Sequence, residues 1–352
     1  MDRPPAGPNA STPADPRWIP FNMGWPILAG VLAGLAIRLT FMGKPGHAFA
    51  PMMGAFIYLS PILVGAVTVY VAERHSRRGA WFYFWAPFLA NVLYVLGALA
   101  INIEGWICAI LIVPLFATLG GIGGLVMGLI CRVTNWPKQA TYSIVALPLL
   151  LGAFEHRMPL PERIADVERS ATIQAPAAAV WDRIHRADGI RPGEVQNAWM
   201  YRIGVPLPHA GITEDTPQGR VRRITMGKGI HFDQWVADWR PERYVRFEYR
   251  FADDSFPPRA LDDHVRIGGL YFDLVDTSYA LTPRGETTEL KVRMRYRVST
   301  QFNWYAEPIA RWLIGDFEEN ILGFYRHRAE SASRYGTLPG PIGSPAPSKA
   351  GG

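Results

Sequence analysis

Two hydrophobic rhythms divide the chain. Up to about residue 155 the apolar residues come in long runs: Trp25–Met42, Ala50–Ala72, Trp81–Ile103, Trp106–Cys131 and Gln139–Phe154. A helix needs about 20 predominantly apolar residues to cross a bilayer, so the second, third and fourth runs qualify outright. The first is short and carries Arg38 near its end, from where a long cationic side chain can snorkel to the interface. The fifth is the shortest, with a buried or interfacial helix as its alternative. The pattern predicts a membrane helical bundle of four or five spans over residues 21–155.

Past residue 161 the rhythm shortens. Glu168–Gln174 alternates as a strand, and Pro176 opens a short helix, because proline suits a first helical turn. Residues 187–218 read as loop-rich. Strands follow at Arg220–Met226, Ile230–Trp239, Tyr244–Phe251, Phe272–Leu281 and Glu289–Val298. Val245, Phe247, Tyr249 and Phe251 fall on one face against Arg246, Glu248 and Arg250. Leu290, Val292, Met294, Tyr296 and Val298 do the same against Lys291, Arg293, Arg295 and Arg297. Such alternation marks an antiparallel sheet with one buried and one wet face. Arg284-Gly285-Glu286 and Gly227-Lys228-Gly229 read as hairpin turns. A long helix, about Asn303–Arg334, closes the pattern, with Tyr305, Ile309, Trp312, Leu313, Phe317, Ile321 and Phe324 on one face and Asp316, Glu318, Glu319 and Arg326 largely on the other.

Charge sharpens this division. Residues 1–154 hold nine Lys/Arg and four Asp/Glu, so the remaining residues hold 27 and 26 of the totals of 36 and 30. The net charge of +6 therefore belongs almost wholly to the apolar half, which argues against nucleic acid, and none is expected as a partner. Arg3, Arg17, Arg74, Arg77, Arg78, Arg132 and Lys138 share one side of a five-span bundle. By the positive-inside rule the N-terminus is then cytoplasmic. Five spans place the following domain outside the cytoplasm, periplasmic for an inner membrane, whereas four leave it inside. Trp25, Trp81, Trp85, Trp106 and Trp136 stand near span ends, as belt tryptophans do.

Gly30 and Gly34, and Gly120, Gly124 and Gly128, repeat at the spacing that lets helices approach closely in lipid. They predict helix packing, with a homo-oligomer through the glycine-rich span as the alternative. Asn91 is the one strongly polar residue deep in a span and predicts an interhelical hydrogen bond. Cys108 and Cys131 both lie in the fourth run, so the second half has no disulfide or cysteine zinc site. Residues 1–20 and 335–352 have a disordered composition.

The segment ERSATIQAPAAAVWDRI, with Ala175-Pro176 and Val180-Trp181, and the ending NWYAEPIARWLIGDFEENILGFYRHRAE resemble the first strand and helix and the last helix of the START-like helix-grip (SRPBCC) superfamily, in its polyketide cyclase/dehydrase and lipid-transport branch. The resemblance covers roughly residues 166–334, within a domain placed at 162–334. It implies an α+β fold with a curved antiparallel sheet around a long C-terminal helix and an apolar cavity for a hydrophobic small molecule. It brings no catalytic motif.

Phe247, Tyr249, Phe251, Tyr279, Val292, Met294 and Tyr296, with Trp312, Phe317 and Phe324, are the expected cavity lining; a solid core is the alternative. Asp253-Asp254 and Asp262-Asp263-His264 fit no metal spacing and read as a solvated lid. His231 reads as a partly buried, satisfied histidine. The stripe Lys291, Arg293, Arg295 and Arg297 reads as a solvated sheet face rather than a lipid-headgroup site. No metal site, cofactor or catalytic constellation is expected. The function expected is membrane-anchored binding or transport of a hydrophobic molecule such as a lipid. A cyclase/dehydrase-type enzyme using Tyr249, Tyr279 or His264 and a membrane assembly protein are the alternatives.

Overall fold

The computed structural model describes residues 20–335 apart from 75, 135–137 and 263. Both expected disordered ends (but for Pro20 and Tyr335), Trp136 and Asp263 lie outside the described residues. The chain forms two compact units. One comprises residues up to Thr40, Tyr58–Gly97 and Val113–Pro148; the other comprises Phe41–Ile57, Ala98–Ile112 and the chain from Leu149.

Five helices carry the apolar runs: α1 (Pro20–Thr40), α2 (Gly54–Glu73), α3 (Ala80–Ala100), α4 (Trp106–Val133) and α5 (Lys138–Phe154). Among the described residues, three of them, α2, α3 and α4, are long and apolar enough to cross a membrane, fewer than the four or five expected. Of the other two, α5 has 17 residues, at the short limit for a span. Arg38 is buried, not snorkelled. Within the first unit the glycines serve packing. A Cβ on Gly120 would strike the Asn91 amide, and Cβ atoms on Gly124 and Gly128 would strike the Tyr83 carbonyl and the Tyr83 ring. The stripe from Gly120 to Gly128 is thus covered by α3 of the same chain. Asn91 donates to the carbonyl of Pro61, across to α2, at 3.3 Å.

The second unit is built on one antiparallel sheet. Its strands are β1 (Glu162–Ile173), β2 (Arg186–Ala187), β3 (Pro208–Thr216), β4 (Gly219–Met226), β5 (His231–Arg240), β6 (Tyr244–Arg250), β7 (Phe272–Arg284) and β8 (Thr287–Ser299), in the order β1-β8-β7-β6-β5-β4-β3-β2. Helix α6 (Ala177–His185) and the short α7 (Pro192–Val195) and α8 (Trp199–Arg202) precede β3, and α9 (Asn303–Tyr335) closes the chain. Strand β3 falls where the sequence reads as loop. Pro208 and Gly211 interrupt its alternation, and it forms because it pairs along β4. Strand β1 also starts earlier than expected, since its partner β8 extends to Ser299.

Helix α9 touches β1 through Glu319, which pairs with Arg169 at 3.1 Å. It also touches β4 through Tyr325, which accepts a bond from Arg222 at 2.9 Å. In a flat sheet those strands would lie about 24 Å apart, five spacings of ~4.8 Å, twice the diameter of a helix. The two contacts are only six residues apart along α9, so the sheet curls around it. This is the helix-grip arrangement.

The outward face of β8 is an ion-paired ladder. Lys291 pairs with Glu168 (2.8 Å), Arg293 with Asp166 (3.1 Å) and Arg295 with Asp276 (2.5 Å). Beside it, Glu248 pairs with Arg246 and Glu289 with Arg284. At the start of the domain, the Glu155 carboxylate accepts bonds from the backbone N–H groups of Gly54 (2.6 Å) and Ala55 (2.7 Å). It thereby caps α2 from the residue that follows α5.

Candidate functional site

Alternation along β6 and β8 puts Phe247, Val292, Met294 and Tyr296 in the core between sheet and helix, with Tyr279 of β7 and Phe324 of α9 beside them. Tyr249 and Phe251 are half-buried. They pack with Phe232 and Phe256 in a second cluster at one end of the sheet, with Ile230 and Ala260. Phe317 is half-buried against Tyr201, at 6.2 Å between rings. Trp312 is 52% exposed and lies against Trp199 at 5.8 Å, so it does not line the interior. The inner stripe of α9 is instead Ile314, Glu318, Leu322, Tyr325 and Ala329, all buried. Relative to the expected face the helix is turned, and Glu318, placed outward by its polarity, faces in.

Those same strands carry a polar row that the sequence does not advertise. Arg222 of β4 stands opposite Gln234 of β5, which stands opposite Tyr249 of β6. The Arg222 guanidinium donates to Gln234 Oε1 at 3.4 Å and to the Tyr325 hydroxyl at 2.9 Å. It lies over the Phe247 ring at 5.5 Å. The Tyr249 hydroxyl shares a 2.7 Å hydrogen bond with Thr277 of β7. Arg222 is buried, its Nε has no hydrogen-bond partner, and no carboxylate pairs with it among the described residues. Room for it comes from Gly211 on β3, where any Cβ would press on the guanidinium.

A guanidinium stays protonated at any physiological pH, and its surroundings answer to that charge. His185, fully buried at the end of α6, is pushed down to about 2 by burial and then by Arg222 and Arg220, so it is neutral. Its Nδ1 lies 2.9 Å from the Thr213 hydroxyl, and its ring packs on Trp181 and Trp239. Burial pushes Tyr249 up to about 12, although its side chain keeps accessible surface. Burial likewise holds Tyr279 well above the usual phenol range, with Tyr325 beside it. Further along α9, burial pushes Glu318 up to about 8, which makes it a protonated carboxylic acid at neutral pH.

The other sequence candidates lie apart from this row. His264, in the 252–270 segment, packs near Tyr271 at 6.5 Å. His231 is exposed, not partly buried, because it begins β5 on the outward face. It sits 3.4 Å from Asp254. No group of three His, Cys, Asp or Glu that could hold a metal occurs among the described residues.

Comparison with known proteins gives no matching family model and no matching curated relative. Similar solved structures include a START superfamily protein from Mycobacterium smegmatis, 14% identical with a TM-score of 0.33, covering 47% of this chain and 97% of that one. Zhui aromatase/cyclase from Streptomyces sp. R1128 is 13% identical with a TM-score of 0.33, covering 50% and 99%. Truncated norcoclaurine synthase from Thalictrum flavum is 12% identical with a TM-score of 0.28, covering 47% and 95%.

Proposed function

We propose that this chain is a membrane-anchored module whose helix-grip domain binds a hydrophobic molecule bearing one anionic or strongly accepting group, a lipid being the natural source beside apolar spans. The observation that carries the reading is Arg222: a buried guanidinium with neutral neighbours, no carboxylate partner among the described residues and an unused Nε. Leaving a charge uncompensated in a protein interior costs several kcal/mol. A carboxylate, phosphate or polarised carbonyl at that spot relieves the cost, while the aromatic side chains around it take the apolar body.

The test is native mass spectrometry and lipid extraction on the full-length protein. Wild type retains a bound amphiphile, and R222M retains at least about tenfold less, the loss of one charge-assisted contact. An equal amount in both sinks the Arg222 assignment, and none in either sinks the carrier reading.

Glu318 favours a second reading, acid–base chemistry on the bound molecule, because it can hold a proton at neutral pH inside the grip. Turnover of a bound ligand by wild type and its loss in E318Q distinguish an enzyme from a carrier. The same proposal places this domain outside the cytoplasm, as an odd number of spans after a cytoplasmic N-terminus requires, and reporter fusions at the C-terminus read its side.

A further inference from the structure

Three tryptophans of the second unit are exposed to an unusual degree for their size: Trp304 (61% exposed), Trp312 (52%) and Trp199 (43%). Trp304, Pro308 and Trp312 recur at four-residue spacing along the first half of α9, where such residues share a face, and all three are exposed. Trp199 on α8 extends the face, its ring tilted against that of Trp312, and the Arg202 guanidinium lies 5.2 Å from the Trp199 ring.

What covers this face follows from where it sits. The Tyr305 hydroxyl, next to Trp304, donates to the Leu111 carbonyl in α4 at 2.6 Å. On the α8 side, a Cβ at Gly204 would lie 3.6 Å from Ile107 of α4. Both contacts fall within the first two turns of a 28-residue apolar helix. Such a helix is about 42 Å long against a hydrocarbon core of about 30 Å, so its end turns occupy the headgroup zone. Leu111 lies about 7–8 Å along the axis from Trp106, and Trp106, at the helix start, is itself 66% exposed. Tryptophan is enriched at that depth, its ring apolar and its N–H wet, and an arginine beside it suits lipid phosphate.

We infer that Trp199, Trp304 and Trp312 form an interfacial dock that seats the grip domain in the headgroup layer of the bilayer α4 enters. The inference rests on the membrane-anchored reading and adds to it a defined lipid-facing surface. That surface holds the sheet-and-helix domain against its lipid source instead of letting it swing free in water.

The test uses the full chain in phosphatidylcholine–phosphatidylglycerol vesicles, labelled with a bimane probe at W304C, W312C or, as a control, G323C. Gly323 is exposed on the same helix with open space around it. The native Cys108 and Cys131 are replaced by alanine. Nitroxide lipids labelled near the headgroup should quench probes at 304 and 312 several-fold more than at 323, and aqueous iodide the reverse. Iodide quenching at 304 and 312 equal to that at 323 overturns the inference. Protection from both quenchers also overturns it, in favour of a protein covering. Intrinsic fluorescence in brominated-lipid vesicles, wild type against W304F/W312F, repeats the measurement with the native cysteines in place. Release of the protein by alkaline carbonate would instead sink the anchor reading.

Discussion

Three buried ionisable residues shape how the grip domain responds to its surroundings. Arg222 is a permanent charge, His185 a base held neutral and Glu318 an acid held neutral. For Glu318 the folded value of about 8 lies above the ordinary 4.5. Its contribution to stability is fully present below 4.5 and is lost as pH rises toward 8. For His185 the folded value of about 2 lies below 6.5, so its contribution is present above 6.5 and lost as pH falls. Between 4.5 and 6.5 each state binds one proton across the pair, and the two slopes cancel. The expected profile from these residues is a plateau over that interval with decline on either side, at up to ~1.4 kcal/mol per pH unit. In denaturant titrations across pH, E318Q should flatten the alkaline limb and leave the acid limb alone. An unchanged alkaline limb would show that Glu318 is ionised at neutral pH. Replacing Arg222 by methionine should leave stability unchanged or raised, since an uncompensated buried charge is exchanged for apolar volume. A drop of several kcal/mol in chemical denaturation would make the residue structural instead.

At the scale of elements, the alternation in β6 and β8 was legible because each inward position there is apolar and each outward one charged. Strand β4 defeats that rule. Arg222 carries a charge, yet it faces inward, where Gln234 and Tyr325 accept its hydrogen bonds from other elements. Helix α9 fails in the same manner: Glu318 is counted as outward by its chemistry, and Trp312 inward by its bulk. Burial is set by which strands the helix crosses, a relation absent from its own sequence. The glycine spacing in α4 was read correctly as close approach, and the structure specifies its partner. With the Tyr83 carbonyl in the path of any side chain at 124, G124L should overpack the α3–α4 contact by 1–3 kcal/mol or more. Less folded protein should survive detergent extraction. If G124L instead extracted fully folded but shifted to a smaller species on gel filtration, the stripe would be an oligomer interface.

Over the whole chain, the residue joining the apolar helices to the sheet domain is itself fixed. Glu155 closes α2 by accepting two backbone N–H groups at its N-terminus, where a negative charge also complements the helix dipole. Removing it as E155A should cost about 1 kcal/mol of local stability. Limited proteolysis of the full chain should then show faster cleavage between 155 and 161. Cleavage at the wild-type rate would mean that the cap does not hold this linker.

The two rhythms of the sequence determined that apolar helices precede an antiparallel sheet and a long final helix, since period and run length follow from backbone geometry and solvent alone. They also placed Phe247, Tyr279, Val292, Met294, Tyr296 and Phe324 inside. Only the tertiary structure decided that Arg222, Gln234 and Tyr249 meet in one row, that Glu318 faces in and that Trp312 faces out. Those outcomes depend on strand register and on how the sheet curls about the helix, and both are fixed by contacts between residues far apart in the chain.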